Sequence, residues 1–550
     1  MAPGAPYELI EVEAHGRRFR AFKNTPENLR ELYRAARSDK PSLIYEDEVL
    51  SFEECWRKSQ TLAHILIEDF GLAKGDRVAI SMRNYPEWFL SFMAVTSAGG
   101  IAVAMNALWQ PSDMIFGLKD CGAKVLFADQ ERIDRLAAGG GVPGLAVIAA
   151  RTKGALPDGV RTFQDVMASR PDADAAPDIA IAPDDEALML YTSGSTGHPK
   201  GALSSHRHVL ATLFSWEVDN KANILRGLSA APSPDAPQTG VLLAIPLFHV
   251  TGLHSIFLQS YRQQRRIVSM YKWDAAAGAD LIERLGLTHF VGPSAVTGDL
   301  VEYARATGRK FPSLVYVGGG GAARPAEQVL AIDKVFAAAS PGTGWGMTEL
   351  NALGAGCAGQ DYLTHPSSGG RAHVVLDLRI LSEDGRELGP MERGELQARG
   401  GSVMIGYWNN PKANAESFDG EWFKTGDVAY IDEDGYVFIV DRIKDLVIRG
   451  GENIGCGAVE AAISEHPDVI EACVFGVPDE RLGEEVGATL YVRPGFSEEN
   501  LRAFLSSRIA RFEIPRYIWV EHEPLPRGAT GKILKRELRA EAAQRMKETA

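Results

Sequence analysis

Cysteine is scarce in this chain. Cys55, Cys121, Cys357, Cys456 and Cys473 are odd in number, scattered and never paired as CxxC. That pattern excludes a disulfide framework and a cysteine-built zinc site, and favours a reducing, cytoplasmic setting. Long apolar runs are absent too: the most apolar helix-like stretch, Trp88 to Ala98, is too short to span a bilayer. Positive charge is in deficit, with 58 Lys and Arg against 72 Asp and Glu and a net charge of −14. This argues against a general nucleic-acid or anionic-membrane binder. The N-terminus lacks the charged-then-apolar signal pattern, and Lys547-Glu-Thr-Ala550 is not a peroxisomal address. No internal repeat is visible. No Lys-Ser or Lys-Thr pair follows a glycine-rich turn at the required spacing, so the common nucleoside-triphosphatase loop is missing as well.

What is present is an ordinary globular composition, 45% hydrophobic and 24% charged, over 550 residues. That length requires at least two cores. Short apolar strands alternate with helical segments from Arg77 to Ala150 and again from Val241 to Val317. The strands are read at Arg77–Met82, Ile101–Met105, Lys124–Ala128, Val241–Ile245, Arg266–Met270, Thr288–Gly292 and Leu314–Val317. Alternation of this kind predicts parallel sheets covered on both faces by helices. Ser229 to Gly240 reads as a surface excursion. The last quarter changes rhythm: strands at Asp468–Gly476, Gly487–Val492 and Tyr517–Val520 flank helices at Ala458–Ser464 and Ser497–Ala510. The expected architecture is therefore α/β, with a large N-terminal domain (1–443) and a small, mobile α+β C-terminal domain (444–550). The boundary falls in the charged stretch Asp441-Arg442-Ile443-Lys444-Asp445.

The most informative segment is Tyr191-Thr-Ser-Gly-Ser-Thr-Gly-His-Pro-Lys200-Gly201, directly after the apolar strand Ala187 to Leu190. Glycines allow backbone N–H groups to close on phosphate oxygens; Ser193, Ser195 and Thr196 add donors and Lys200 adds charge. Five further segments follow in order. They are Ile245-Pro-Leu-Phe-His-Val-Thr-Gly252, Gly344-Trp-Gly-Met-Thr-Glu349, Gly394-Glu-Leu with Gly406-Tyr-Trp408, Lys424-Thr-Gly-Asp427 with Asp441 to Asn453, and Pro526-Arg-Gly-Ala-Thr-Gly-Lys532. Together they resemble the adenylate-forming superfamily of acyl- and aryl-CoA synthetases, adenylation domains and firefly-type luciferases, over about Lys40 to Lys535. The fatty acid–CoA ligase and 4-coumarate–CoA ligase branch is the one resembled.

The resemblance implies a site residue by residue. ATP and AMP are expected on Thr192, Ser193, Gly194, Ser195, Thr196, Gly197 and Lys200. The strip Gly320, Gly321 and Ala322, the segment Gly344, Trp345, Gly346, Met347 and Thr348, and Asp427, Arg442 and Lys532 complete that set. Trp345 offers a flat face for adenine, and Asp427 can accept both ribose hydroxyls. Glu349 resembles the magnesium ligand, a hard-ion site that prefers oxygen. Lys532, Thr196, Glu349 and His249 form the expected catalytic group, in which Lys532 brings positive charge to the meeting of a carboxylate with the α-phosphate. His249, Val250, Ser255, Gly320, Gly346 and Met347 are expected to line the acyl pocket, with Phe257 as a further apolar wall. Lys444 is the implied hinge, and Gly450, Gly451 and Glu452 the CoA side. There the sequence departs from many relatives, reading Ile454-Gly-Cys-Gly-Ala-Val459.

The implied activity is an ATP-dependent, AMP-forming acid–CoA ligase of fatty acid metabolism. It makes an acyl-adenylate and pyrophosphate, then acyl-CoA and AMP, with ATP, Mg2+ and coenzyme A as its cofactor and co-substrates. No carboxylate sits beside His249 to pair a substrate ammonium, and Gly346 leaves room where acetate-specific relatives carry Trp. A hydrophobic monocarboxylate, either a medium or long fatty acid or an aryl acid, is the expected substrate. No nucleic acid and no integral membrane segment are implied, and a homodimer is compatible. Two alternatives stand beside this one: adenylation with another acceptor (an amine, a carrier-protein thiol or oxygen), and a non-catalytic acyl or nucleotide sensor on the same fold.

Overall fold

The computed structural model describes residues 3–192, 198–228, 231, 233, 236–321, 324–449, 452–479, 481–528 and 531–549. The chain forms two compact units. One runs up to Pro366 and takes in Gly370–Asp377 and Ala398–Phe423; the other comprises Ser367–Gly369, Leu378–Gln397 and the chain from Lys424 onward.

In the first unit, an eight-stranded sheet is built around Arg77–Ser81, Ile101–Ala104, Val125–Asp129, Ala146–Ala150 and Glu186–Thr192, which run parallel where they pair. Ile101–Ala104 and Val125–Asp129 are buried at every position, as strands covered on both faces must be. Pro86–Ser97 is likewise buried along its whole length; the apolar stretch near Trp88 is a core helix opened by a proline at its first turn. The second sheet carries the parallel strands Gly240–Leu243, Arg266–Ser269, His289–Val291, Tyr316–Gly318 and Ser340–Gly346. Helices Ala275–Leu285, Ser294–Thr307 and Ala326–Val335 close one side through Ile282, Leu300 and Ile332, packed with Leu242, Phe290 and Val317.

One element departs from ordinary helical geometry. Thr251–Leu258 is a π-helix, a rare form that concentrates at functional sites. Its start requires a glycine, since a Cβ on Gly252 would lie 2.4 Å from the Pro246 carbonyl oxygen.

In the second unit, Val469–Asp479 and Gly483–Val492 form a long antiparallel ladder extended by Tyr517–Glu521 and Val447–Arg449. Helices Cys456–Ser464 and Glu498–Ser506 cover it through Val459, Ile463, Leu501 and Leu505. The segment after Lys532 forms a helix, Lys535–Thr549, anchored by buried Leu538 and Ala542. The compact units divide the chain earlier than a cut at 443/444. The strand Tyr436–Arg442 pairs with Trp422–Ile431, and most of that hairpin belongs to the second unit. All five cysteines are free, four of them buried. Burial raises every thiol: Cys55 to about 11, Cys121, Cys357 and Cys473 to about 12, and Cys456 as well.

Candidate active site

Strands Glu186–Thr192 and Lys200–Ser205 are antiparallel, with Thr192 opposite Lys200. The expected phosphate loop is thus the connection of a hairpin; its members Ser193, Gly194, Ser195, Thr196 and Gly197 lie outside the described residues. Gly201 is held close to the first strand, where a Cβ would meet Met189 Sδ at 2.8 Å. Lys200 Nζ lies 5.0 Å above the Tyr407 ring, and the Tyr407 hydroxyl donates to Glu349 Oε1 at 2.8 Å. Tyr407 reaches this place because Gly406–Tyr407 adds to the edge of Lys200–Ser205, opposite Leu203 and Ala202. It therefore joins Lys200, expected at the phosphates, to Glu349, expected at the metal. The motif containing it was legible, but a contact with both charged residues was not.

Glu349 is 6% exposed and sits in the one-turn 3-10 helix Thr348–Leu350, after the extended Met347. No cluster of three or more His, Cys, Asp or Glu able to hold a metal occurs among the described residues. A single buried carboxylate fits Mg2+, which keeps several waters and is completed by substrate phosphates; it does not fit a fully protein-caged ion. Two residues further on, Asn351 is fully buried in a left-handed conformation, φ 53°. Its amide nitrogen donates to Ser204 Oγ at 2.9 Å and to the Ser402 carbonyl at 2.8 Å. Its Oδ1 lies 3.1 Å from His254 Nε2, and its carbonyl accepts from Thr212 Oγ1 at 3.1 Å. With both amide hydrogens committed, Asn351 Oδ1 accepts, so His254 carries its proton on Nε2. Burial lowers the His254 pKa to about 4, and the ring is neutral. Asn351 was missed in the sequence; a polar residue after Glu349 gives no signal of four partners distant in the chain.

Gly320 bridges Gly344 in the neighbouring strand, and a Cβ there would stand 2.5 Å from the Gly344 carbonyl oxygen. Gly321 has φ +84°, open to glycine without strain; Ala322 lies outside the described residues. Trp345 is half-buried, with its six-membered ring set over Gly354, where a Cβ would lie 2.6 Å from Cε3. Two expectations are corrected. A Cβ on Gly346 would point at the Ala352 carbonyl oxygen, 2.3 Å away, so this glycine is required by close backbone approach and is not by itself a sign of an open passage. Phe257 is fully buried among Phe89, Phe92, Trp88 and Tyr261; it is core, not an acyl wall. His249, Val250 and Ser255 are partly accessible at and within the π-helix start, as is Met347 beside the glutamate.

In the second unit, Asp427 and Arg442 stand directly opposite on paired strands. Arg442 Nε contacts Asp427 Oδ1 at 2.5 Å, with the carboxylate 3% exposed and the guanidinium side chain 49%. Lys532 closes a small hairpin: Gly528 N donates to the Lys532 carbonyl at 2.8 Å, Leu534 N to Pro526 O at 2.8 Å, and Arg527 Nη1 to Gly531 O at 2.5 Å. The Lys532 side chain keeps solvent access, yet loss of hydration ranks first in lowering its pKa. Repulsion from Arg442 adds to that, and Asp427 partly offsets both. Three expected residues are therefore electrostatic neighbours. Lys444 occupies the single 3-10 turn Ile443–Asp445, between two strands. Gly450 and Gly451 lie outside the described residues, and Glu452 opens the short strand Glu452–Ile454.

Against known proteins, the family model described as AMP-binding enzyme matches residues 32–408, and the model described as AMP-binding enzyme C-terminal domain matches residues 458–532. The chain is 32% identical over 481 residues to long-chain-fatty-acid–CoA ligase FadD13 of Mycobacterium tuberculosis, covering 85% of this chain and 88% of that protein. It is 32% identical over 495 residues to a feruloyl-CoA synthase of Amycolatopsis sp, covering 89% and 93%. Among solved structures, o-succinylbenzoate CoA synthetase (MenE) of Bacillus subtilis in complex with the acyl-adenylate OSB-AMP superposes with a TM-score of 0.78 at 26% identity, covering 93% of this chain and 98% of that one.

Proposed function

Because the chain belongs to the AMP-binding enzyme family, carrying both its main and its C-terminal domain, we propose that the residues described above perform the two steps of an acid–CoA ligation. The enzyme is an AMP-forming acid–thiol ligase that acts on hydrophobic acids with ATP and Mg2+, and with CoA as co-substrate. Lys200, with the donors Ser193, Ser195 and Thr196, holds the phosphates. Glu349 holds the metal, oriented by the Tyr407 hydroxyl. Bound Mg2+ supplies positive charge across the phosphates. Asp427 takes the ribose hydroxyls, sharing its carboxylate with Arg442, and Trp345 stacks on adenine. Lys532 offsets repulsion as a carboxylate oxygen attacks the α-phosphorus and pyrophosphate leaves. In the second step the CoA thiolate attacks the acyl carbon and AMP leaves. Lys532 then has no role, and a turn about Lys444 exchanges its loop for Gly450, Gly451 and Glu452.

The observation that carries this reading is the Lys200–Tyr407–Glu349 contact chain, which puts a phosphate cation and a metal carboxylate on one phenol. Its test is a panel of carboxylic acids with ATP, scored for AMP with and without CoA. AMP and acyl-CoA formed together are expected. AMP release independent of CoA would move the acceptor elsewhere, and absence of pyrophosphate would leave only a sensor. A cytoplasmic setting is part of the proposal, supported by the free, scattered cysteines; a homodimer is to be read by light scattering. No helix among the described residues is long and apolar enough to cross a membrane.

A further inference from the structure

On the parallel strands Tyr316–Gly318 and Ser340–Gly346, Tyr316 pairs with Ser340 and Val317 with Pro341; Gly320 bridges Gly344 further along. Side chains alternate along a strand, so 316, 318 and 320 share one face with 340, 342, 344 and 346. Five of those seven positions are glycine, and the face is bare backbone except for a serine and a tyrosine. Tyr316 leans along it. A Cβ built on Gly318 and one built on Gly342 would each lie 2.3 Å from the Tyr316 hydroxyl oxygen. The ring thus occupies the space that two missing side chains leave. The other end of the strip is covered as well, since the Gly346 position faces the Ala352 carbonyl oxygen at 2.3 Å. Between these two stops lie Gly320, whose Cβ position faces the Gly344 carbonyl oxygen at 2.5 Å, and Gly344, whose Cβ position is 3.3 Å from the Ala355 carbonyl oxygen, so the strip presents backbone and no side chain there. Polar groups surround the phenol: the His289 ring is 5.9 Å away on the next strand. Arg324 donates to the Gly342 carbonyl at 3.2 Å and to Thr297 Oγ1 at 3.2 Å.

We propose that Tyr316 is the floor of the acyl pocket and sets its depth. Gly320 and Gly344 provide a window of backbone against which a compact acid lies, and the Tyr316 ring ends that window where a long chain would continue past Gly318 and Gly342. The substrate class is therefore a compact hydrophobic acid, aryl or short-to-medium acyl, and not a long-chain fatty acid. This rests on the acid–CoA ligase reading above. Tyr316 acts through shape, so its replacement by a smaller residue opens the pocket without removing a reacting group.

The test is ATP–pyrophosphate exchange by the full-length enzyme and its Tyr316→Ala and Tyr316→Leu variants with benzoate, 4-hydroxycinnamate, octanoate, laurate and palmitate. In the wild type, kcat/KM is expected to fall at least tenfold from the best compact acid to palmitate. Tyr316→Ala is expected to raise the palmitate-to-octanoate ratio at least tenfold, with the change in KM for the acid and not in KM for ATP. A wild-type maximum at palmitate overturns the floor on its own, even if Tyr316→Ala fails to fold. An active Tyr316→Ala or Tyr316→Leu enzyme with an unchanged ratio also overturns it. No pyrophosphate exchange with any acid would instead overturn the ligase reading.

Discussion

At Lys532, loss of hydration and repulsion from Arg442 disfavour the charged ammonium, and Asp427 restores part of what is lost. The charge is needed only while two anions approach, so Lys532→Ala should abolish adenylate formation and spare thioester formation from a supplied acyl-adenylate. Equal loss of both half-reactions would contradict that division. Arg442 also predicts a pH effect whose sign is fixed. Repulsion from Arg442 acts on the protonated lysine alone and lowers its pKa; Arg442→Gln removes it, and the pKa rises. The alkaline limb of the pyrophosphate-exchange profile, where the ammonium is lost, should move to higher pH in Arg442→Gln even as overall activity falls. A limb moving to lower pH, or staying in place, would separate Arg442 from Lys532.

Among the elements, the turn after Glu349 is held by one side chain. The Asn351 side chain connects the strand Lys200–Ser205 through Ser204, the Ser402 carbonyl and the π-helix through His254, while the backbone carbonyl of Asn351 accepts from Thr212 of the helix His206–Leu225. Its removal leaves buried polar groups unpaired, at about 1–3 kcal/mol each. Asn351→Gly should therefore lose about 3 kcal/mol in urea unfolding. Asn351→Ala should lose about 1 kcal/mol more, because a Cβ disfavours the left-handed backbone that glycine adopts freely. Equal losses would show that the φ of 53° carries no strain. The parallel strands were readable because strands buried on both faces are plain apolar runs, as at Ile101–Ala104. The glycine-rich segments were readable because glycine and small hydroxyl residues crowd into them. The π-helix was not, since its residues Thr251–Leu258 are as apolar as any core helix and carry no periodicity of their own. The final helix was hidden for the opposite reason: Leu538 and Ala542 are its buried anchors, and charged residues dominate the rest. Contacts such as Lys200 over Tyr407, or Tyr316 across Gly342, join residues far apart in the chain, and local pattern does not reveal them.

For the molecule as a whole, two hydrophobic clusters of the C-terminal region draw their members, among the described residues, from Val447 to Met546. A fragment spanning 444–550 should accordingly unfold in urea as one cooperative transition followed by circular dichroism. A broad, non-cooperative loss would mean that the partner strips Leu378–Gln397 and 424–443 are needed to hold the fragment together. The placement of the thiols has a practical consequence at this scale. None of the five is lowered toward reactivity; burial raises all of them. At mildly alkaline pH an aromatic disulfide reagent added to the native enzyme should therefore react sluggishly, with the full complement of five appearing only after denaturation. In samples withdrawn from the reaction, the disappearance of free coenzyme A can then be read by its own sulfhydryl against a nearly silent protein, which makes every acid in a substrate panel measurable with one colorimetric readout.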